Sequence, residues 1–367
     1  MKLPNTILIS VFIAAAGALW ISGRSDSADS TAAHVTGKVI SSTSLQYDHL
    51  DPIAESIIPS GAQLELIATG FTWLEGPVWT NGSLYFADIP ANAIYRWSPE
   101  QGVTTFLKPS GYKGSAPYPG HEPGSNGMTL DARGRLTVAG HAARTIFRFE
   151  SIDPRATITI LADSYEGKKL NSPNDLVYRS DGSLYFTDPP YGLLTQRDDD
   201  SKKELRVNGV FRIPHALEQK PSTEPERRNL QLVVSDLTRP NGLVFSPDEQ
   251  HLYVNNSEPK KLWMRYTVQP DGSLKDPKLL YDATADNRPG SSDGMKIDSA
   301  GNIYSTGPGG IWIFTPEGKP IATILLPEKP GNLVFGGEDG KTLYILASDK
   351  IYRVGLKIAG APLIRSK

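Results

Sequence analysis

The chain has 367 residues, a net charge of −2, 34 glycines, 29 prolines and no cysteine. That length supports one large repeat domain or two ordinary ones. The charge excludes a broad electrostatic footprint for nucleic acid, and the missing cysteines exclude disulfides, thiolate metal sites and a cysteine nucleophile.

In chain order, the first element is a targeting segment. Lys2 precedes an apolar run from Ile7 to Ile21, broken only by Ser10 and Gly17. The run is short for a bilayer span and suits a signal-peptide core, with an uncleaved anchor as the alternative. Residues 1–23 are read as that segment, and export to a bacterial periplasm follows as the expected location. Residues 24–56 are small and polar and read as a linker. Folded structure is expected from Ile57 to the C-terminus.

Within 57–367 a pattern recurs. A polar head precedes a short apolar run in Glu75–Trp79, Asn126–Leu130, Asn174–Tyr178, Asn241–Phe245 and Asp293–Ile297. A sixth copy, Gly331–Phe335, has glycine at the head. About ten residues after each head comes a second apolar run, beginning at Leu84, Leu136, Leu184, Leu252, Ile303 and Leu343. The copies lie about 50 residues apart, a repeat-architecture signal. Each unit is rich in Val, Ile, Tyr, Phe and Trp. Turn dipeptides such as Asn81-Gly82 and Asp181-Gly182 interrupt the runs. A third run follows in Ala93–Trp97, Thr145–Phe149, Leu262–Tyr266 and Ile311–Phe314, and a fourth in Thr157–Leu161 and Ile321–Leu325. Six four-stranded antiparallel units describe an all-β, six-bladed β-propeller. Leu64–Ala68 has no unit of its own and is expected to complete the last blade.

Two insertions interrupt the repeat. Pro109–Gly124 precedes the Asn126 head and is a candidate lid. Gln196–Glu204 and Gln219–Arg228 are charged and read as solvated loops.

Repeat-equivalent residues converge on a propeller axis, so the heads should ring one mouth of the central channel. Asn or Asp at a single strand start usually caps a turn. Five oxygen-bearing heads at one equivalent position argue for a shared site. Two carboxylates there repel unless something positive lies between them. The donor set is all oxygen, which suits a hard cation, calcium or magnesium. Glu75, Asn174, Asn241 and Asp293 are the expected ligands, leaving positions for water and substrate. Such a cation polarises a carbonyl or phosphoryl oxygen, or activates water. Gly290–Gly294 spells a nucleophile elbow around Ser292, but a strand follows where a helix is required, so it is set aside.

These motifs resemble the SMP-30/gluconolactonase/regucalcin family, over roughly residues 60–357. The resemblance rests on Trp73–Trp79, Ser125–Asp131, Ser172–Tyr178, Phe186–Gly192, Arg239–Pro247 and Ser292–Asp298, and is nearest to the exported bacterial branch. It implies a divalent cation, usually Ca2+ with Mg2+, Mn2+ or Zn2+ as alternatives, at Glu75, Asn241 and Asp293. Asn174 is implied as a further ligand or substrate contact, and Asp293 as general acid/base. Asn126, His141 and Asp175 complete the expected substrate contacts. The implied activity is opening of a lactone ring. Phosphotriester hydrolysis at the same cation is the second reading, and a non-enzymatic binding propeller with a structural metal the third. The expected partner is a small lactone, with no nucleic acid and no membrane beyond the N-terminal segment. One departure stands out. Relatives often carry an acidic residue before the histidine and an Asn-Arg-Arg run after it, whereas here Gly140 precedes His141 and Ala142-Ala143-Arg144 follows.

Overall fold

The structure is a computed structural model, described here for residues 37–224 and 230–362. The N-terminal targeting segment lies outside the described residues. Among them, no helix is long and apolar enough to cross a membrane.

Six antiparallel sheets form a six-bladed β-propeller. Blade one comprises Leu74–Thr80, Ser83–Asp88, Ala93–Ser98 and Gly102–Leu107. Blade two begins at Met128–Leu130, blade three at Leu176–Tyr178 and blade four at Pro240–Phe245. Blade five begins at Met295–Ile297 and blade six at Pro330–Gly336. Each of these first strands is the innermost of its blade and touches the first strands of both neighbours, closing a ring.

The apolar core is divided into six clusters, one at each interface between adjacent blades. Val78, Ile94 and Phe149 belong to the cluster between blades one and two. Tyr304, Ile313 and Ile345 belong to that between blades five and six. Each sheet is therefore buried on both faces. This is why the strands read as continuous apolar runs rather than alternating ones.

The ring is closed by mixing the chain's two ends. Gln63–Thr69 pairs antiparallel with Lys350–Gly355 and becomes the fourth strand of blade six, as expected for Leu64–Ala68. The fold also begins earlier than the expected boundary at Ile57. Ser41–Ser44 adds a fifth strand to blade six, and Tyr47–His49 adds one to blade five. Leu45, Ala54 and Ile57 are buried in the cluster between those blades. The stretch reads as a linker because Ser41–Ser44 is an exposed edge strand, held by backbone pairing that leaves no apolar signature.

Candidate active site

The six heads meet at one end of the channel because each lies at, or just before, an innermost strand. In blades one, four and six the head coincides with an irregularity in the ladder, between Glu75 and Val78, Pro240 and Leu243, and Pro330 and Asn332. Bulges of this kind re-aim side chains. The residue after the head is glycine in four units. At Gly127 a Cβ would stand 2.3 Å from the Asn174 carbonyl oxygen, and at Gly242 2.1 Å from that of Asp293. The backbone amides there donate instead, Gly127 to Asn174 at 2.8 Å and Gly242 to Asp293 at 3.1 Å. Glycine thus lets neighbouring blades touch and brings successive heads close together.

Glu75, Asn126, Asn174, Asn241 and Asp293 line one cavity of about 270 Å3. The expected metal set and the Asn126 contact are therefore together. Ser257 fixes the Asn241 amide by accepting from Nδ2 at 3.0 Å. The Asn241 and Asn126 Oδ1 atoms are buried without a hydrogen-bond partner. Glu75 Oε2 accepts from the Asn332 amide at 3.0 Å. Asp293 is anchored through its backbone, whose N–H donates to Thr306 Oγ1 at 2.9 Å.

Burial, and then repulsion from Glu75, Asp175 and Glu122, raises the Asp293 carboxyl well above the ordinary carboxylate range. Burial likewise raises Glu75, with Asp175 and Glu122 adding to the effect and Asn332 opposing it. Two repelling carboxyls beside orphaned amide oxygens are poorly solvated as they stand. A divalent cation would relieve both strains, since it pairs with the carboxylates and accepts neutral oxygen ligands. Among the described residues, no group of three or more His, Cys, Asp or Glu could hold a metal ion alone. The amide oxygens are thus needed to complete a ligand set, and the residues present fit such an ion.

Two expected contacts lie outside the cavity lining. Asp175 sits at the residue after the Asn174 head and is buried, with its carboxyl also raised by burial. Its Oδ1 accepts from the Leu176 amide at 2.9 Å. His141 is fully buried, with Nδ1 3.1 Å from the Pro173 carbonyl oxygen and Nε2 2.7 Å from Glu122 Oε2. It therefore supports Glu122, and Glu122 is what faces the cavity. Neither Asp175 nor His141 is among the residues that line the cavity. Arg144, in the departing loop, donates to the Leu170 carbonyl and lies 3.5 Å from Glu204.

The outer wall comes from loops. Glu122 belongs to the 109–124 segment, which accordingly covers this mouth. Gln196 donates to Glu122 Oε1 at 3.0 Å and also lines the cavity, although its segment reads as a solvated loop. Tyr191 and Glu258 complete that side, with Tyr191 Oη donating to Glu258 Oε1 at 3.0 Å. The one sequence signal for Glu122 is its place in the candidate lid.

Comparison with known proteins identifies the family and agrees with the fold. The family model for the SMP-30/gluconolactonase/LRE-like region matches residues 73–349. The gluconolactonase of Zymomonas mobilis is 40% identical over 321 residues, covering 84% of this chain and 85% of that protein. The 6-deoxy-6-sulfogluconolactonase of Pseudomonas putida is 36% identical over 282 residues, covering 75% and 82%. A solved gluconolactonase from Xanthomonas campestris superposes with a TM-score of 0.71 at 27% identity, covering 88% of this chain and 97% of that one. Fold and site define a six-bladed propeller with an oxygen-lined axial cavity. The chain belongs to the SMP-30/gluconolactonase/LRE-like family.

Proposed function

We propose that this protein is a divalent-cation-dependent lactonase of the gluconolactonase type, with calcium as its cation. The observation that carries the reading is the axial ring, in which two repelling carboxyls and two unpartnered amide oxygens face one cavity. The similarity to named gluconolactonases supplies the substrate class.

Glu75, Asn174, Asn241 and Asp293 would hold the cation. When bound, such a cation polarises a carbonyl oxygen and stabilises negative charge that develops on it. Asn126 orients the lactone. Asp293 accepts a proton from the attacking water at a carboxylate oxygen as the new C–O bond forms. It then returns that proton to the ring oxygen as the ring C–O bond breaks. The product is the open hydroxy acid. Asn332 holds Glu75 by donating a hydrogen bond to its Oε2, while the nearby Asp175 raises the Glu75 carboxyl. The apolar segment Ile7–Ile21 leads us to place the reaction in the periplasm, which fractionation of the expressing cell would test.

The test is hydrolysis of glucono-δ-lactone by the chelated protein, before and after calcium is restored. Turnover should appear only with the cation. Undiminished turnover after confirmed metal removal would reject the cation. Silence toward a lactone panel with calcium bound would reject the lactonase and favour phosphotriester hydrolysis or a binding role.

A further inference from the structure

Three buried side chains outside the cavity repeat one contact. Asp88, Asp188 and Asn256 each lie four residues after the start of a second apolar run, at Leu84, Leu184 and Leu252. They end the second strands of blades one, three and four. All three are buried, and none lines the cavity. Asp88 accepts from the backbone amides of Thr72 at 3.0 Å and Trp73 at 3.3 Å. Asp188 accepts from those of Asn171 at 2.7 Å and Ser172 at 2.8 Å. Asn256 Oδ1 accepts from the Arg239 amide at 2.7 Å and from the Thr238 hydroxyl at 3.2 Å. In each blade the held residues stand three and two positions before the head, which is Glu75, Asn174 or Asn241.

Those heads are three of the four expected cation ligands. The fourth, Asp293, is tied to the second strand of its own blade through Thr306. Asn126, the head assigned to substrate, differs. The equivalent position in its blade is Gly140, which has no side chain to accept. The amide of Ser125, just before that head, donates instead to Ser110 Oγ of the 109–124 segment at 3.1 Å. The cation heads are thus tied to sheets, and the substrate head to a loop. Such ties matter because the regular ladder weakens at these heads. Asn174 precedes its first strand, Leu176–Tyr178, and the ladders at Glu75 and Asn241 are irregular. One Asp at a strand end is ordinarily a turn cap. Three acceptors at one equivalent position, in blades that each supply an expected ligand, form a set.

We infer that Asp88, Asp188 and Asn256 are positioning residues for the cation. Each fixes the backbone that carries one ligand oxygen, so that Glu75, Asn174 and Asn241 are set in place before the ion arrives. This rests on the cation site proposed above. A ligand set that is already ordered loses less freedom on binding, which favours affinity. Outer partners of metal ligands typically contribute about 10–100-fold in metal affinity.

Asp188→Ala frees two amides beside the Asn174 head without touching a ligand. The calcium Kd, read by titration calorimetry, should rise roughly tenfold. Asp188→Asn keeps one acceptor oxygen and should give a smaller rise, and it carries the test if the alanine variant does not fold. The control is Asp298→Ala. Asp298 is also buried and accepts from two backbone amides, of Ala300 at 2.9 Å and Asn302 at 2.8 Å. It caps the turn after Met295–Ile297, at the end of that strand away from the Asp293 head. Asp298→Ala should lower Tm and leave calcium affinity at the parent value. Calcium affinity unchanged in the folded Asp188 variants would overturn the assignment. So would an equal loss in Asp298→Ala, which would mark the effect as one of general stability. Both outcomes leave the cation site standing, whereas a parent protein that binds no calcium overturns both.

Discussion

The cavity has two walls of different origin. Its floor is built by the repeat: Glu75, Asn126, Asn174, Asn241 and Asp293 occupy one equivalent position in five blades. Its rim is built by connecting loops that differ in length and sequence from blade to blade: Glu122, Tyr191, Gln196 and Glu258. The floor is fixed by the closed ring of inner strands and by amide-to-carbonyl contacts between neighbouring blades. The rim is fixed by side-chain hydrogen bonds between separate loops. Chemistry common to a family belongs on a rigid, symmetric floor, and selectivity belongs on a rim that can vary without disturbing the ring. Floor substitutions should therefore strike cation binding and kcat, while rim substitutions should strike KM and substrate preference.

The largest effect is expected at Asp293. Asp293→Asn keeps an oxygen ligand but cannot accept a proton. With calcium shown bound at saturation, kcat on the best lactone should still fall by at least about 100-fold. Recovery of near-parent kcat on adding calcium would reduce Asp293 to a ligand. The proton acceptor would then have to be sought on the rim, and the division between the walls would fail.

The next effect separates two floor residues. Asn241→Ala removes an amide oxygen that Ser257 aims into the cavity. It should weaken calcium about tenfold or more, since a ligand is lost while both carboxylates stay. Asn126→Ala should spare calcium and raise KM. Equal losses of calcium in the two variants, read by titration calorimetry, would merge the roles assigned to them.

A third expectation concerns stability. The buried Glu75 carboxyl is pushed up to about 7 from an ordinary 4.5. The folded state then binds that proton more tightly than the unfolded state. Its contribution is present below about pH 4.5 and is lost as pH rises toward 7. The chelated protein should therefore lose melting temperature across that window, and saturating calcium should remove the loss. Asp188 is also buried and raised, so Glu75→Gln is the control, and it should flatten the slope. A chelated parent whose Tm is level across the window would show that the two floor carboxyls do not strain the empty ring.

The floor was legible in the sequence because symmetry converts five weak local signals into one position. A lone Asn126 or Asn174 at a strand start would have read as a turn cap. The repeat also revealed closure of the ring by Leu64–Ala68, since six units needed one more strand. It could not reveal Ser41–Ser44 or Tyr47–His49, which are outer edge strands added beyond the four of the repeat. His141 was singled out by residue type and repeat position, neither of which specifies where its ring points. The position is near the mouth, but the ring is turned behind the wall toward Pro173 and Glu122. Glu122 and Gln196 sit in unrepeated segments, so nothing in the chain's periodicity could bring them together.

The smallest expected effect tests whether that loop contact matters. Gln196 donates one hydrogen bond to Glu122 and also faces the cavity. Gln196→Ala leaves the Glu122–His141 contact intact but frees the other carboxylate oxygen. A hydrogen bond to a charged group is worth about 1.5–3 kcal/mol, and water entering the opened cavity should replace much of it. A rise in KM of roughly two- to tenfold, with kcat and calcium affinity preserved, is the expected result. If Gln196→Ala instead lowers kcat as far as Asp293→Asn does, the rim takes part in the chemical step. The two walls would then act as one machine, and varying the loops could not retune the substrate without a loss of rate.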